Sequence, residues 1–168
     1  SDGPGSFKLK PEYDKNFNIY SEPDVGTYWL VINLKDPLLG GNVKLRKAMA
    51  LAINRQGFID DMLNGRGVKI DSVVPVTIAG NHIDSKVVFP DYNVEEAKKA
   101  LAEAGYPGGK GLPTIKYAGQ TGGNTLRQFE YLRRNWAEIG IQVEPDFTTY
   151  SASLKRFDEG NFQIAMTG

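Results

Sequence analysis

The sequence contains no cysteine and only one histidine among its 168 residues. The absence of cysteine excludes disulfides, thiolate metal sites and cysteine nucleophiles. It does not identify a compartment, because many exported proteins also lack disulfides. The single histidine, His82, lies in a long connection and is expected to be a surface side chain rather than a catalytic group.

Neither sign of charge is in excess, since twenty basic residues balance twenty acidic ones. No basic surface is therefore expected to neutralise phosphates, and nucleic acid is not an expected partner. The sequence also lacks an apolar run of roughly 18 residues, the length of a membrane span. Its start, SDGPGSFKLK, has no apolar segment typical of a signal peptide. The chain as given is expected to be soluble, and its 40% apolar content is enough for a sizeable core.

Motifs that support catalysis or cofactor binding are also scarce. There is no G-x-S-x-G nucleophile elbow, and the lone histidine lacks the context of a catalytic triad. The glycine-rich segments GGKGLP and GQTGGN do not have the spacing of a phosphate-binding loop or a dinucleotide fingerprint. The adjacent acidic pairs lie on or beside predicted helices, where neighbouring residues point about 100° apart. The sequence therefore predicts no catalytic residue, no metal site and no cofactor.

The first half of the chain combines one strand with two short helices. Residues 1–23 are predicted to be an irregular lead-in, and residues 27–33 a strand covered on both faces. An apolar stripe from Val43 predicts a helix capped by Asn42, and Asn54 is placed to end it and to cap a second helix that stops at Asn64 and Gly65. Residues 66–92 are expected to form a surface connection with one short strand over 73–76.

The second half alternates helices and strands. The segment NVEEAKKALAEAG predicts a helix over 94–104, with Asn93 and Glu96 forming a capping box and Gly105 ending it. Strands over 114–119, 141–147 and 161–168 alternate with helices over 124–140 and 151–160. This βαβαβ order predicts parallel strands joined by right-handed crossovers. Pro145 indicates an edge strand or a bulge, because it removes one backbone donor.

The order of these elements predicts where a ligand would bind. In open α/β sheets the crevice lies beyond the carboxyl ends of the strands, which carry GQTGG (119–123), TTY (148–150) and TG (167–168). Such small, hydroxyl, amide and aromatic groups suit a neutral or zwitterionic solute. The alternative is that strand-end loops are simply rich in glycine and threonine.

Four blocks of sequence resemble the second lobe of the peptide-type solute-binding proteins of bacterial ABC importers. They are GTYWLVINLKDPLLGGNVKLRKAMALAINRQGFIDDMLNGRG, YNVEEAKKALAEAGY, LRQFEYLRRNWAEIGIQVE and FQIAMTG, within residues 24–168. The resemblance implies an α/β fold, a single lobe of the periplasmic-binding-protein-like type II fold with a mixed sheet, a βαβαβ core and flanking helices. It also implies that the final strand continues into the other lobe of a two-lobed parent, so that the chain is a piece of a longer protein.

The same resemblance implies a receptor that performs no chemistry. Its expected partners are a small solute, the other lobe of the same parent chain and an ABC permease in the membrane. Its expected location is periplasmic or extracellular and membrane-anchored. Oligopeptide is the favoured solute because it is frequent in the family, with dipeptide, oligosaccharide and metal chelate left open. The rival hypotheses are an α/β hydrolase or transferase domain that uses Thr or Tyr at the strand ends, and an independent sensory or interaction domain.

Ligand-binding residues follow from the resemblance position by position. They are Asp24, Val25, Gly26, Trp29, Gly119, Gln120, Thr121, Tyr150, Thr167 and Gly168. In dipeptide receptors the loop that matches 119–121 supplies an arginine for the ligand carboxylate, and Gly119 at that position argues against such a clamp. The competing interpretations are a hinge and core role for 24–29, a buried helix-capping role for Tyr150, and a plain strand end for 167–168.

Overall fold

The computed structural model describes residues 26–65, 67–70 and 89–168. The chain divides into two compact units, one of residues 1–27 with 55–89 and one of residues 28–54 with 90–168. The whole lead-in (residues 1–23), the short strand expected over 73–76 and His82 lie outside the described residues.

One four-stranded sheet organises the second unit. Its strands are β1 (Trp29–Ile32), β2 (Ile115–Gln120), β3 (Val143–Thr148) and β4 (Ile164–Thr167). They lie in the order β1-β4-β2-β3. β2 runs parallel to both β3 and β4, whereas β1 runs antiparallel to β4. The predicted mixed sheet with a βαβαβ core is confirmed.

Five α-helices are present in the described ranges. They are α1 (Val43–Leu51), α2 (Arg55–Leu63), α3 (Val94–Glu103), α4 (Gly123–Ala137) and α5 (Tyr150–Glu159). A short 3₁₀ turn covers Pro107–Gly109. α2 belongs to the first unit and ends, as predicted, where Asn64 (φ 57°) and Gly65 (φ 77°) take left-handed conformations.

Asparagine side chains cap the starts of two of these helices. Asn42 Oδ1 accepts from the Leu45 N–H at 3.0 Å, and Asn93 Oδ1 accepts from the Glu96 N–H at 3.0 Å. The second half of the predicted capping box is wrong, because the Asn93 N–H donates to the Leu51 carbonyl at 2.9 Å instead of to Glu96. The start of α3 is thereby attached to the end of α1, a tertiary contact that replaces the local one.

The core lies between the sheet and helices α1, α3 and α4. Tyr117, Phe129 and Phe147 form an aromatic cluster with ring centroids 5.5–6.3 Å apart. The Trp136 indole N–H donates to the Met49 carbonyl at 3.0 Å, so that this buried ring joins α4 to α1. An aromatic group needs such a partner for its polar atom when it is buried. Apolar contact and satisfied polar groups therefore hold α4 against both the sheet and α1.

Strand β1 differs from expectation. The sequence predicts residues 27–33 covered on both faces, but the strand spans only Trp29–Ile32 and its side chains are half-buried or exposed. The physical reason is its place at the edge of the sheet, with one neighbour, β4, among the described strands. The alternation correctly predicted a strand, but alternation alone does not report how many neighbours a strand has.

Strand β3 lies at the other edge, as Pro145 predicts. The Ile115 N–H donates to Gln142 O at 3.0 Å and the Thr121 N–H to Thr148 O at 2.8 Å. In a parallel ladder with this register, the N–H groups of even-numbered residues of β3 face β2 and those of odd-numbered residues face outward. Pro145 therefore occupies a position whose donor the sheet does not use. The register runs without a gap from Ile115 opposite Val143 to Gln120 opposite Thr148, which excludes a bulge.

Candidate functional site

The carboxyl ends of three strands and the start of a fourth lie along one edge of the sheet. β2, β3 and β4 are mutually parallel and end there, while antiparallel β1 begins there, with Trp29 opposite Thr167. We call this edge the strand-end rim and define it as residues 28–29, 119–121, 148–150 and 167–168. The predicted convergence of strand ends is confirmed.

The ends of β2 and β3 are joined at the rim by Thr121. Its N–H donates to the Thr148 carbonyl at 2.8 Å, and its hydroxyl donates to the same oxygen at 3.2 Å. Because one carbonyl receives both donors, the loop after β2 is held beside the end of β3. Gln120, one residue earlier, is exposed at the same edge.

Gly119 permits helix α4 to lie close to the end of β2. A Cβ atom at this position would be 2.9 Å from Thr125 Cγ2 and 3.4 Å from the Phe147 ring. The space that a side chain would need is thus already filled by the first turn of α4 and by β3. An arginine at position 119 would require this packing to move, which agrees with the expectation that this chain has no arginine clamp at that point.

Tyr150 begins helix α5 and is 64% exposed. The helix cap is its neighbour Thr149, whose Oγ1 accepts from the Ala152 N–H at 3.4 Å. The alternative of a buried, capping Tyr150 is therefore wrong. An aromatic ring displayed at the end of β3 is available to pack against a ligand.

Two further aromatic side chains are exposed at the start of β1. Trp29, a predicted site residue, is 41% exposed, and its neighbour Tyr28 is 66% exposed. Tyr28 was missed because its alternation with Leu30 and Ile32 predicted a covered face. Since β1 is an edge strand, the signal that could have identified Tyr28 is sheet order, which local sequence does not supply.

The structure brings most of the predicted site residues to one edge. Trp29, Gly119, Gln120, Thr121, Tyr150, Thr167 and Gly168 lie on the rim. Gly26 precedes β1 in the chain and belongs to the first unit, and Asp24 and Val25 lie outside the described residues. Ligand contact by any of these residues stays a prediction.

Perturbed ionisable groups lie away from the rim. Burial raises the pKa of the core residue Tyr117 above its ordinary value of 10.0, and a backbone bond with Met166 opposes part of that rise. The Lys44 ammonium, 2.6 Å from Glu103, lowers the pKa of that carboxyl, and Glu95 raises the pKa of Lys98. Burial and the nearby Glu138 raise the pKa of Tyr92. These four groups, Tyr117, Glu103, Lys98 and Tyr92, lie outside the residues that define the rim.

A polar groove of about 290 Å³ lies at the opposite end of the sheet. Its side chains are largely engaged with each other and with the backbone. Asn33 Nδ2 donates to Gly160 O at 2.8 Å and to Phe162 O at 2.9 Å, and Gln163 Nε2 donates to Asp36 Oδ2 at 3.0 Å. These bonds fix the end of β1 to the loop before β4. The polar residues of the groove therefore have a structural role, which accounts for their presence without a ligand.

Neither a metal-ligand cluster nor a membrane-spanning helix occurs in the described ranges, residues 26–65, 67–70 and 89–168. No group of three or more His, Cys, Asp or Glu residues there is arranged to hold a metal ion. None of the helices in those ranges is both long enough and apolar enough to cross a bilayer.

The mixed sheet, its flanking helices and the strand-end rim define the class of a periplasmic-binding-protein-like type II lobe. The sequence matches the family described as "Bacterial extracellular solute-binding proteins, family 5 Middle" over residues 2–168. The chain belongs to this family.

Named relatives and solved structures agree with this assignment. The dipeptide-binding protein of Escherichia coli (strain K12) is 30% identical over an aligned length of 158, and the match covers 92% of this chain and 29% of that protein. The oligopeptide-binding protein OppA of Bacillus subtilis (strain 168) is 26% identical over an aligned length of 163, and the match covers 94% of this chain and 30% of that protein. The chain therefore spans less than a third of the length of these relatives.

Two solved structures have the same fold. HbpA2 from Haemophilus parasuis is similar with a TM-score of 0.77 and 25% identity, over 89% of this chain and 29% of that one. The periplasmic binding protein DppA from Helicobacter pylori, in complex with the peptide STSA, has a TM-score of 0.72 and 27% identity, over 83% of this chain and 26% of that one.

Proposed function

We propose that this chain forms one lobe of the substrate-binding component of a bacterial ABC importer and binds an extracytoplasmic solute in a cleft between lobes. The observation that carries the proposal is the convergence of three parallel strand ends on one rim, in a chain of family 5. Ligands of open α/β sheets bind beyond such strand ends. The exposed rings of Trp29 and Tyr150 support this position, because pockets for small ligands combine aromatic surface with a few polar groups.

The solute that we propose is an oligopeptide. The support comes from similar proteins. Two relatives are a dipeptide-binding and an oligopeptide-binding protein, and one similar structure holds the peptide STSA. An oligosaccharide or a metal chelate is the alternative solute. The proposed partners are the other lobe of the parent chain and an ABC permease, and the proposed location is periplasmic or extracellular with a membrane anchor. The proposal includes no catalytic step.

The test uses the longest product that the gene encodes. We expect isothermal titration calorimetry to detect saturable binding of oligopeptides, and Tyr150→Ala to weaken that binding about tenfold, or about 1.4 kcal/mol, through lost contact with the ring. Tyr92→Ala is the matched control, because Tyr92 is also exposed but lies outside the rim.

Two outcomes would contradict the proposal. Turnover of a generic ester or phosphoester panel, abolished by changing Thr or Tyr at the strand ends, would favour the hydrolase or transferase hypothesis. Equal effects of Tyr150→Ala and Tyr92→Ala on peptide affinity would show that the rim does not contact the solute.

A further inference from the structure

The end of helix α2 carries the one Asn-Gly dipeptide of the sequence, Asn64 followed by Gly65. Asparagine is chemically labile because the backbone nitrogen of the next residue can attack its carboxamide carbon. Glycine hinders this attack least, since it has no Cβ atom. The other ten asparagines are each followed by a residue that has a side chain. The sequence alone therefore makes Asn64 the most reactive asparagine of the chain.

The Asn64 side chain is also free to react. Asparagine carboxamides elsewhere in the fold are held in place: those of Asn33, Asn42 and Asn135 each donate to a backbone carbonyl 2.8–3.1 Å away. No hydrogen bond of the Asn64 carboxamide occurs among the described residues. Breaking a side-chain hydrogen bond is therefore not part of the barrier at this residue.

The backbone at the same place opposes the attack. The Gly65 N–H donates to the Ile59 carbonyl at 3.0 Å, and this bond closes the end of α2. Asn64 and Gly65 are both held in left-handed conformations, with φ 57° and 77°. The Gly65 nitrogen must lose its proton and turn toward Cγ of Asn64 before it can react, so the bond to Ile59 must break first. The chemistry is thereby coupled to a local opening of the helix end.

Helix α2 offers little packing to resist such an opening. Its one buried side chain is Ile59, which is 7% exposed, whereas the equally long α1 buries four side chains. Segments with few buried apolar contacts open at a lower free energy than the whole protein unfolds. Opening of the end of α2 is therefore expected without global unfolding.

The reaction is a substitution at the Asn64 carboxamide carbon and involves no oxidant or reductant. The deprotonated Gly65 nitrogen forms a bond to Cγ, the bond from Cγ to Nδ2 breaks, and Nδ2 leaves as ammonia after taking up protons from solvent. The cyclic imide that results adds water at one of its two carbonyl carbons. Ring opening then gives either aspartate or isoaspartate at position 64.

Both products disfavour the closed end of α2. Isoaspartate adds one carbon to the main chain between Ile59 and Gly65, so their hydrogen bond loses its alignment. Aspartate places a carboxylate beside the last carbonyls of the helix, which carry partial negative charge. The described charged residues within four positions of Asn64 are Asp60 and Asp61, both acidic. Like charges three and four residues apart on a helix repel each other.

We propose that Asn64 is a site of spontaneous deamidation, that opening of the hydrogen bond between Gly65 and Ile59 controls its rate, and that the charged product keeps this end of α2 open. The modification is irreversible in water, so it accumulates with the age of the protein. Its consequence is local, at the end of one helix, and it does not depend on the proposed function.

The test compares the 168-residue chain with a synthetic peptide of residues 60–68 in the same mildly alkaline buffer. Mass spectrometry of tryptic peptides follows the replacement of NH₂ by OH at each asparagine. We expect Asn64 to deamidate before every other asparagine of the chain, and about tenfold to a hundredfold more slowly than in the peptide.

Hydrogen exchange at the same pH measures the opening itself. We expect the slowing of deamidation to equal the exchange protection of the Gly65 amide within about threefold, because one opening exposes the same nitrogen to both reactions. The amide of Leu132, a buried residue of α4, reports the protection that global unfolding sets.

A pair of variants tests the effect of the product. We expect Asn64→Asp to lower the exchange protection of the Gly65 amide about threefold, through the helix end and the two acidic neighbours. Asn64→Gly is the uncharged control, because glycine also accepts φ 57°, and it should keep that protection within about twofold.

Four results would overturn the proposal. Earlier deamidation of another asparagine would remove Asn64 as the site. Deamidation of the chain as fast as that of the peptide would show that the hydrogen bond to Ile59 does not control the rate. Slowing as large as the exchange protection of Leu132 would mean that only global unfolding exposes the site. Undiminished protection of Gly65 in Asn64→Asp would show that the charged product leaves the end of α2 closed.

Discussion

Two glycines of this chain have nearly the same φ angle in different surroundings. Gly140 has φ 94° and Gly105 has φ 96°. A Cβ atom on Gly140 would lie 2.3 Å from the Gly108 carbonyl oxygen, whereas one on Gly105 would have nothing within 4 Å. The turn after α4 thus lies in close backbone contact with the 3₁₀ turn at Gly140.

Alanine substitutions at Gly140 and Gly105 separate the cost of a positive φ angle, which both share, from the cost of a steric clash, which only Gly140 has. Each change to alanine adds about 1–2 kcal/mol of left-handed strain. We expect Gly140→Ala to cost about 2 kcal/mol more than Gly105→Ala, because its neighbour is backbone and cannot rotate away. Urea unfolding of the two variants measures the difference, and equal losses would contradict the close approach.

The residues of the candidate site were only partly accessible to sequence reasoning. Positions after a strand could be predicted to share an edge, which placed Gln120, Thr121 and Tyr150 together. The exposure of individual side chains could not be predicted. Exposure of Tyr28 depends on the order of strands in the sheet, and exposure of Tyr150 depends on which residue caps α5. The filling of the space above Gly119 by Thr125 depends on a tertiary contact that no local pattern reports.

At the scale of elements, the register of β2 and β3 decides which backbone N–H groups of β3 form hydrogen bonds to β2 and which face outward. The ladder bonds donated by Ile115 and Thr121 place the N–H groups of even-numbered β3 residues toward β2, so Pro145 removes no donor that the sheet uses. A proline at an outward position of an edge strand also removes a donor that another chain could use for pairing.

Moving the proline by one residue should therefore be costly. We expect Glu144→Pro to lower the free energy of unfolding by about 1–3 kcal/mol, because it removes a donor to β2 and leaves the facing carbonyl unpaired. Glu144→Ala is the control, since it removes the same exposed side chain and keeps the N–H. Chemical denaturation of both variants checks the prediction. Equal stability of the two would mean that the ladder is shifted by one residue from the register described.

The elements themselves were largely predictable because their periods differ. Apolar patterns identified the five described helices and the four described strands, and glycine marked the stops at Gly65, Gly105, Gly140 and Gly160. Boundaries were less well predicted: α4 ends at Ala137 and is followed by a turn to Gly140. The capping box at α3 failed since the Leu51 carbonyl competes for the same donor.

At the scale of the whole molecule, amino-acid composition does not report where charged residues lie in the fold. Equal numbers of acidic and basic residues predict no preferred partner of either charge. Once the strands are ordered, Lys35, Asp36, Lys116 and Asp146 are brought together around one groove at the end of the sheet opposite the rim. A sequence average cannot report this distribution, because it depends on which loops the sheet brings together.

In the proposed function the rim would contact a ligand from one side only, and this limits the affinity expected of the 168-residue chain. Small-ligand pockets bury about 70–90% of their ligand, and a single open edge cannot. We expect oligopeptides to bind this chain with dissociation constants near 1 mM, about −4 kcal/mol, and the longest gene product to bind them far more tightly, because closure of two lobes covers the solute. Calorimetry on both proteins with the same peptide gives the comparison. Submicromolar affinity for the 168-residue chain would mean that its own residues enclose the ligand, and the two-lobed mechanism would then have to be abandoned.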